Sequence, residues 1–204
     1  MTSQSFLLGG KMDNKRKKIK KIIEVSLKLF VERGFHGTPT SMIAKESGVA
    51  TGTLFNYFKT KDILINEVYK DIELEQQNYF FKNLDEEKTS KKKLKKIWEN
   101  SIIWGINNPY KRRFGRYFSD SSFISDDTKI EVYKRYKPLS DIFIDIMKKK
   151  GIKNSNELML ILHFIGACIF TGEYFYIMKE PYNEEISNES FEKFCKGIGL
   201  KDED

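Results

Sequence analysis

The sequence has few of the residues that usually signal catalysis or metal binding. It contains two cysteines and two histidines among 204 residues. Proline is also scarce, with four residues. Cys168 and Cys195 form no CxxC or other metal-ligand spacing, so we expect no metal, no cofactor and a reducing, cytoplasmic location. His163 and Cys168 lie about 140° apart around a helix, which excludes a nucleophile and base pair there. With no phosphate-binding loop or dinucleotide motif either, the sequence indicates that the protein is not an enzyme.

The low proline content and the scarcity of alternating strand patterns favour an all-helical fold. Apolar residues recur at helical spacing along most of the chain, and 40% hydrophobic residues suffice for a sizeable core. We expect about nine helices. One of them should run from about Asp126 to Lys150 and bend at Pro138. The apolar run near the N-terminus is too short for a signal peptide, so residues 1–12 are expected to be a disordered leader.

One short segment has the pattern of two helices joined by a glycine turn. Thr38 and Pro39 predict a helix start, as an N-cap and a first helical residue. Gly48 supplies the positive φ that a tight turn between helices needs. In the next helix, Leu54 and Phe58 are four residues apart and share one buried face. The opposite face carries polar side chains, namely Thr53, Asn56 and Tyr57.

These residues resemble the TetR family of one-component transcriptional regulators. The matching positions are Leu29-Phe30, Gly34-Phe35, Thr38-Pro39-Thr40, Ile43-Ala44, Gly48-Val49, Gly52-Thr53-Leu54-Phe55, Tyr57-Phe58 and Lys61-Asp62. Ala50 and Phe55 depart from the family pattern, which often has a capping Ser and a Tyr at these positions. The resemblance implies a helix-turn-helix DNA-binding domain at residues 13–60 and a helical effector-binding and dimerisation domain at 61–204.

The charge distribution supports DNA binding. Residues 1–60 contain 11 Lys+Arg and 4 Asp+Glu, whereas the other 144 residues contain 25 of each. A lysine run by itself is more often a solvated helix face, but beside a helix-turn-helix it indicates phosphate binding. We expect Thr53 and Asn56 to read bases and Lys61 to contact phosphate. The predicted DNA-binding residues are Thr40, Ser41, Lys45, Thr51, Gly52, Thr53, Phe55, Asn56, Tyr57 and Lys61.

A helix predicted from Asn156 to about Lys179 is apolar on every side and must be covered on every side. A membrane span is disfavoured because His163 and Glu173 interrupt the apolar run. We therefore expect a two-fold homodimer, which would place two recognition helices about 34 to 36 Å apart on a palindromic operator in double-stranded DNA. The predicted dimer interface is Leu158, Leu162, Ile165, Ile169, Phe191, Phe194 and Ile198.

The resemblance also implies a hydrophobic small-molecule effector, bound in a cavity between the middle helices. Aromatic residues at helical spacing are more often plain core, but some could line such a cavity. The predicted ligand-binding residues are Trp98, Ile102, Phe114, Tyr117, Phe118, Phe143, Met147, His163, Phe170 and Tyr174.

The predicted function is a dimeric repressor released by a hydrophobic or amphipathic molecule. The alternative is a dimeric DNA-binding protein whose C-terminal domain docks a protein partner and binds no small molecule, which a closed, well-filled domain would favour.

Overall fold

The computed structural model describes residues 3–151 and 156–200, with side chains from Asp13 onward. Within these ranges the chain forms ten α-helices, a short 3-10 helix at Leu84–Glu86 and no strand. The prediction of an all-helical protein is confirmed. The helices are α1 (Ser3–Arg33), α2 (Thr40–Ser47), α3 (Thr51–Tyr57), α4 (Lys61–Phe80), α5 (Ser90–Asn107), α6 (Pro109–Phe118), α7 (Asp126–Lys134), α8 (Lys137–Lys149), α9 (Glu157–Met178) and α10 (Glu184–Gly197).

The helix predicted to bend at Pro138 is two helices in the structure. α7 ends at Lys134 and α8 begins at Lys137, so Pro138 lies in the first turn of α8. A first turn does not need the missing N–H, whereas inside a long helix proline removes a hydrogen bond and clashes with the preceding turn. The chain therefore starts a new helix here, and the described residues contain ten helices rather than about nine.

The first helix begins earlier than the sequence indicates. α1 starts at Ser3, so its backbone covers most of the stretch predicted to be a disordered leader. Residues 1 and 2 of that leader lie outside the described residues. The stretch contains no proline, and extending an existing helix costs far less than nucleating a new one.

The chain divides into two compact units whose borders differ from the predicted domains. The first unit consists of the residues up to Ile72 together with Tyr110–Lys129, and the second consists of Glu73–Pro109 and the residues from Ile130 onward. Helix α4 therefore contributes residues to both units. Helix α6, predicted to belong to the effector domain, is part of the first unit.

Aromatic packing explains why α6 belongs to the first unit. Phe114 and Phe118 of α6 lie 6.5 Å and 6.3 Å from the ring of Phe30 on α1, between ring centroids. After α6, Phe123 stacks on Phe35 at 4.2 Å. Phe30, Phe114 and Phe118 are buried, whereas Phe35 and Phe123 are half-buried. The periodicity of α6 identifies its apolar face but cannot identify the helix against which this face packs.

The core of the second unit is built around Trp98 of α5, which is fully buried. Its ring lies 5.8 Å from Phe164 of α9 and 5.5 Å from Phe191 of α10, between centroids. Its indole N–H donates a hydrogen bond to the hydroxyl of Ser187 at 3.2 Å. The one polar atom of this large side chain is thereby satisfied inside the core.

Helix α9 is apolar around its whole circumference, as predicted, but only one face is buried. The Asn156 side chain caps its first turn by accepting from the Leu158 N–H at 3.0 Å. Phe164 and Phe175 are buried, whereas Phe170 is 75% exposed. By length and composition α9 is the one helix of the described chain that is able to cross a membrane, and less than half of it is buried.

Candidate functional site

The helix-turn-helix has the glycine turn that the sequence predicts. Gly48 adopts a left-handed conformation with φ 68° and ends α2, where its N–H bonds to the Lys45 carbonyl oxygen at 3.1 Å. The next N–H, that of Val49, bonds to the Ala44 carbonyl oxygen at 3.0 Å. A side chain at position 48 would be strained in this conformation. The turn therefore fixes the direction in which α3 leaves α2.

The start of α2 differs from the prediction. The helix begins at Thr40 with Pro39 as its N-cap, and no side chain caps it. Thr38 is fully buried, and its hydroxyl lies 2.8 Å from the Gly34 carbonyl oxygen and 3.2 Å from that of Leu29. The prediction that Thr38 is an N-cap is wrong, because its hydroxyl donates to the carbonyl oxygens at the end of α1 instead.

Helix α3 separates a buried face from an accessible face. Leu54 is 1% exposed, and Phe58, which directly follows the helix, is 5% exposed, so both are buried as predicted. Asn56 is exposed, and Thr53 and Tyr57 are half-buried. The other predicted DNA-binding residues of α3, which are Thr51, Gly52 and Phe55, are exposed. The side chains predicted to read bases are thus accessible on a helical segment.

The predicted phosphate contacts of α2 are accessible, but Lys61 is already engaged within the protein. Ser41 and Lys45 are exposed and Thr40 is half-buried. The Lys61 ammonium donates to the carbonyl oxygens of Phe35 at 2.6 Å and Thr38 at 3.1 Å. Burial lowers the pKa of Lys61, and the nearby Asp62 carboxylate opposes that shift. Two of its three N–H groups therefore hold the turn before α2, which leaves one for a phosphate.

A small cavity lies in the second unit, and none of the predicted ligand-binding residues lines it. Its volume is about 40 Å³. The lining combines apolar side chains with a few polar ones. It consists of Gln76, Phe80, Phe81, Ile97, Ser101, Tyr136, Leu139, Phe164, Ile165, Cys168 and Ile169.

The ten predicted ligand-binding residues do not form one site. Phe114, Tyr117 and Phe118 belong to the first unit, where Tyr117 is exposed and the other two are core. The exposed side of α9 carries His163, Phe170 and Tyr174. Three residues are tightly packed core, namely Trp98, Ile102 and Phe143, and Met147 is half-buried. Ligand binding by these residues therefore stays a prediction, and a helix such as α9 that is apolar on every side gives no indication of which face points inward.

The predicted dimer interface is largely accessible. Leu158, Leu162 and Ile169 are 38%, 52% and 56% exposed on α9. Ile165, Phe194 and Ile198 are half-buried. Phe191 is 0% exposed in the single chain, where its ring fills the core beside Trp98, so it presents no surface to a partner.

Two ionisable groups at or beside the cavity wall have perturbed pKa values. The Tyr136 hydroxyl donates to the Glu73 carboxylate at 3.1 Å. Burial raises the pKa of Glu73 to about 7, against the smaller opposing effects of this hydrogen bond and of Arg135. Burial also raises the pKa of the Cys168 thiol to about 12, so it stays protonated and unreactive at neutral pH.

Across residues 3–151 and 156–200, no three His, Cys, Asp or Glu side chains group as metal ligands.

Comparison with known proteins identifies a family of regulators. Residues 22–68 match the family described as bacterial regulatory proteins, tetR family. The fatty acid metabolism regulator protein of Bacillus subtilis is 34% identical over 103 residues, which are 48% of this chain and 51% of that protein. The chain thus spans about half the length of this curated relative.

Solved structures of similar fold cover almost the whole chain. A TetR family transcription regulator from Marinobacter aquaeolei VT8 has a TM-score of 0.80 at 17% identity, over 91% of this chain and 97% of the other. The regulator FadR from Bacillus subtilis, solved in complex with stearoyl-CoA, has a TM-score of 0.73 at 22% identity, over 88% and 98%. At these identities the likeness shows the fold.

Proposed function

Because the chain belongs to the TetR family of bacterial transcriptional regulators, we propose that it is a cytoplasmic repressor that binds a palindromic operator as a dimer and is released by an amphipathic small molecule. Members of this family are DNA-binding regulators and not enzymes, which agrees with the prediction from the sequence. The observation that carries the proposal is the accessible polar face of α3, held at a fixed angle by the Gly48 turn.

The DNA-binding role divides between α3 and α2. Asn56 and Thr53 supply the donors and acceptors that distinguish base edges in the major groove. Ser41 and Lys45 on α2 contact phosphates, which set position and affinity without reading sequence. If a dimer neutralises about eight phosphates, the logarithm of the binding constant falls against the logarithm of salt concentration with a slope of about −7.

The dimer forms through the exposed apolar face of α9. Leu162, Ile169 and Phe170 are each more than half exposed in the single chain. A contiguous apolar surface of this kind on a soluble protein marks an interaction site. A second copy of the same face covers it by two-fold symmetry, which also presents two copies of α3 to the two halves of a palindrome.

The effector enters the second unit at the cavity beside Tyr136. Because the FadR relative of similar fold is solved with stearoyl-CoA, we take a long-chain acyl thioester as the effector class. Ligand pockets usually measure about 300–1,000 Å³. The helices around the 40 Å³ cavity must therefore move apart to admit the chain. Helix α4 contributes residues to both units and carries that movement to the helix-turn-helix.

The small volume of the cavity also favours a second candidate function. A second unit whose enclosed cavity is this small suits a protein that docks a protein partner there and binds no small molecule. Both candidates share the DNA-binding role, so only the response to a ligand separates them.

A gel shift on the DNA upstream of the gene, at controlled salt, tests the proposal. Palmitoyl-CoA, palmitate and a lipophilic cation are added in separate titrations. Free coenzyme A is the control for the charged part of palmitoyl-CoA. We expect palmitoyl-CoA to release the DNA at least tenfold more effectively than coenzyme A. Retention of the complex at saturating amounts of every compound would instead support the partner-docking function. No preference for upstream DNA over random DNA would contradict both.

A further inference from the structure

A polar cluster lies beside the cavity of the second unit, where α4 meets the end of α7. It consists of Glu73 and Gln77, one turn apart on α4, and of Arg135 and Tyr136, which directly follow α7. Tyr136 belongs to both features, because it lines the cavity and its hydroxyl donates to Glu73 at 3.1 Å. These four residues are referred to below as the Glu73 cluster.

Two polar atoms of the Glu73 cluster are buried without a hydrogen-bond partner. Gln77 is 3% exposed, and its amide N–H donates to the Val132 carbonyl oxygen at 3.3 Å, whereas its Oε1 accepts from no group. The Nη2 of Arg135 donates to Glu131 at 2.8 Å, whereas its Nη1 is buried and donates to none. Since buried polar groups nearly always have partners, an unused acceptor and an unused donor here indicate a place for a ligand.

We propose that the Glu73 cluster binds the polar group of the effector while its apolar part enters the cavity, and that this polar group is neutral, such as an amide, rather than a carboxylate. The inference rests on the proposed function, because it names the chemistry of the same effector site. An amide matches both unused atoms: its carbonyl oxygen accepts from Arg135 Nη1, and its N–H donates to Gln77 Oε1. The carbonyl of an acyl thioester is likewise neutral.

The charges at the Glu73 cluster disfavour a ligand carboxylate. The carboxylates of Glu73 and Glu131 both interact with the guanidinium of Arg135, which is already bonded to Glu131 at 2.8 Å. A second carboxylate beside Glu73 would add a like charge in a poorly solvated place. The raised pKa of Glu73, which burial moves to about 7, shows that this place already resists negative charge.

Binding of two C12 ligands to the full-length protein tests the inference at pH 8.5, where dodecanoate is ionised. Isothermal titration compares dodecanamide with dodecanoate on the wild type, on Glu73→Gln and on Glu75→Gln, an exposed glutamate of the same helix. We expect dodecanamide to bind the wild type at least tenfold more tightly. Glu73→Gln should reduce this preference to less than threefold by improving dodecanoate binding, and Glu75→Gln should retain it.

The other outcomes distinguish this inference from the proposed function. Equal or tighter binding of dodecanoate to the wild type overturns the neutral-group assignment, as does an unchanged preference in Glu73→Gln. Absence of binding by both ligands also overturns it. In each of these cases, release of the operator by palmitoyl-CoA would leave the proposed function standing. Conversely, the expected preference without any effect on operator binding would support the site and contradict the repressor function.

Discussion

The Lys61 ammonium lies 2.6 Å from the carbonyl oxygen of Phe35 and 4.1 Å from the centre of its ring. One side chain at the start of α4 therefore holds both the backbone and the aromatic ring of the turn that precedes α2. This contact gives Lys61 a role in the stability of the helix-turn-helix, besides any contact with phosphate.

Replacing Lys61 tests that structural role. Lys61→Met should lower the free energy of unfolding by about 1–2 kcal/mol without DNA, because two charge-assisted hydrogen bonds and a cation–π contact are lost. Urea unfolding of the protein without DNA measures this loss of unfolding free energy. The matched control is Lys45→Met, which is exposed and should reduce the salt slope of DNA binding by about 1 with unchanged stability. Equal stability of Lys61→Met and wild type would contradict the structural role of Lys61.

Asn56 provides the sharpest test of base reading. Asn56→Ala should relax the preference at one operator position by about 1–3 kcal/mol, because an asparagine can bond both edge atoms of adenine. Competition binding against operators varied at each position measures the preference. Asn78→Ala, an exposed asparagine in the second unit, should leave it unchanged. A loss of the same size on random DNA would count against Asn56 as a base reader.

A charge on the exposed face of α9 should separate the dimer. Ile169 is 56% exposed in the single chain, so Ile169→Glu is compatible with the fold of the protomer but not with an apolar interface. Sedimentation should give a monomer that loses cooperative binding to a palindrome. Ile144→Glu places the same charge on α8, where the isoleucine is 43% exposed, and should remain dimeric. A dimer of Ile169→Glu would place the interface elsewhere.

The raised pKa of Glu73 predicts a stability that depends on pH. Because burial raises this pKa from 4.5 to about 7, the folded state binds the proton more tightly than the unfolded state. The wild type therefore loses stability as the pH rises from about 4.5 to above 7. Glu73→Gln lacks this loss, and at pH 8 it should be more stable than the wild type by on the order of 1–3 kcal/mol.

Urea unfolding at pH 8 and pH 4 measures the difference in stability between Glu73→Gln and wild type, which should nearly vanish at pH 4. Glu75→Gln is the matched control, because it makes the same substitution at an exposed glutamate on the same helix. A difference that is the same at both pH values would mean that the substitution alters packing rather than ionisation.

The helix-turn-helix could be predicted because its determinants are local. Gly48 is needed by the turn itself, and the burial of Leu54 and Phe58 follows from their spacing of four residues. The N-cap prediction for Thr38 fails because its hydroxyl bonds across to the end of α1, and the sequence around Thr38 does not reveal that partner.

The cavity could not be predicted because its determinants are tertiary. Trp98 and Phe170 are both large aromatic residues in apolar helices, yet one is 0% and the other 75% exposed. Tyr136 lines the cavity from the junction of two helices that the sequence suggested were one. Only the arrangement of α4, α5, α8 and α9 decides which of their apolar side chains border an empty volume.

The packing of Phe114 and Phe118 on Phe30 has a consequence for synthesis of the chain. The first unit is discontinuous, since Tyr110–Lys129 joins it after an excursion of the chain through Glu73–Pro109. During synthesis, the core of the first unit is therefore incomplete until Tyr110–Lys129 has been added to the chain. A fragment cut at Ile72 would leave the Phe30 ring without these two partners, so it would lack part of the core of the first unit.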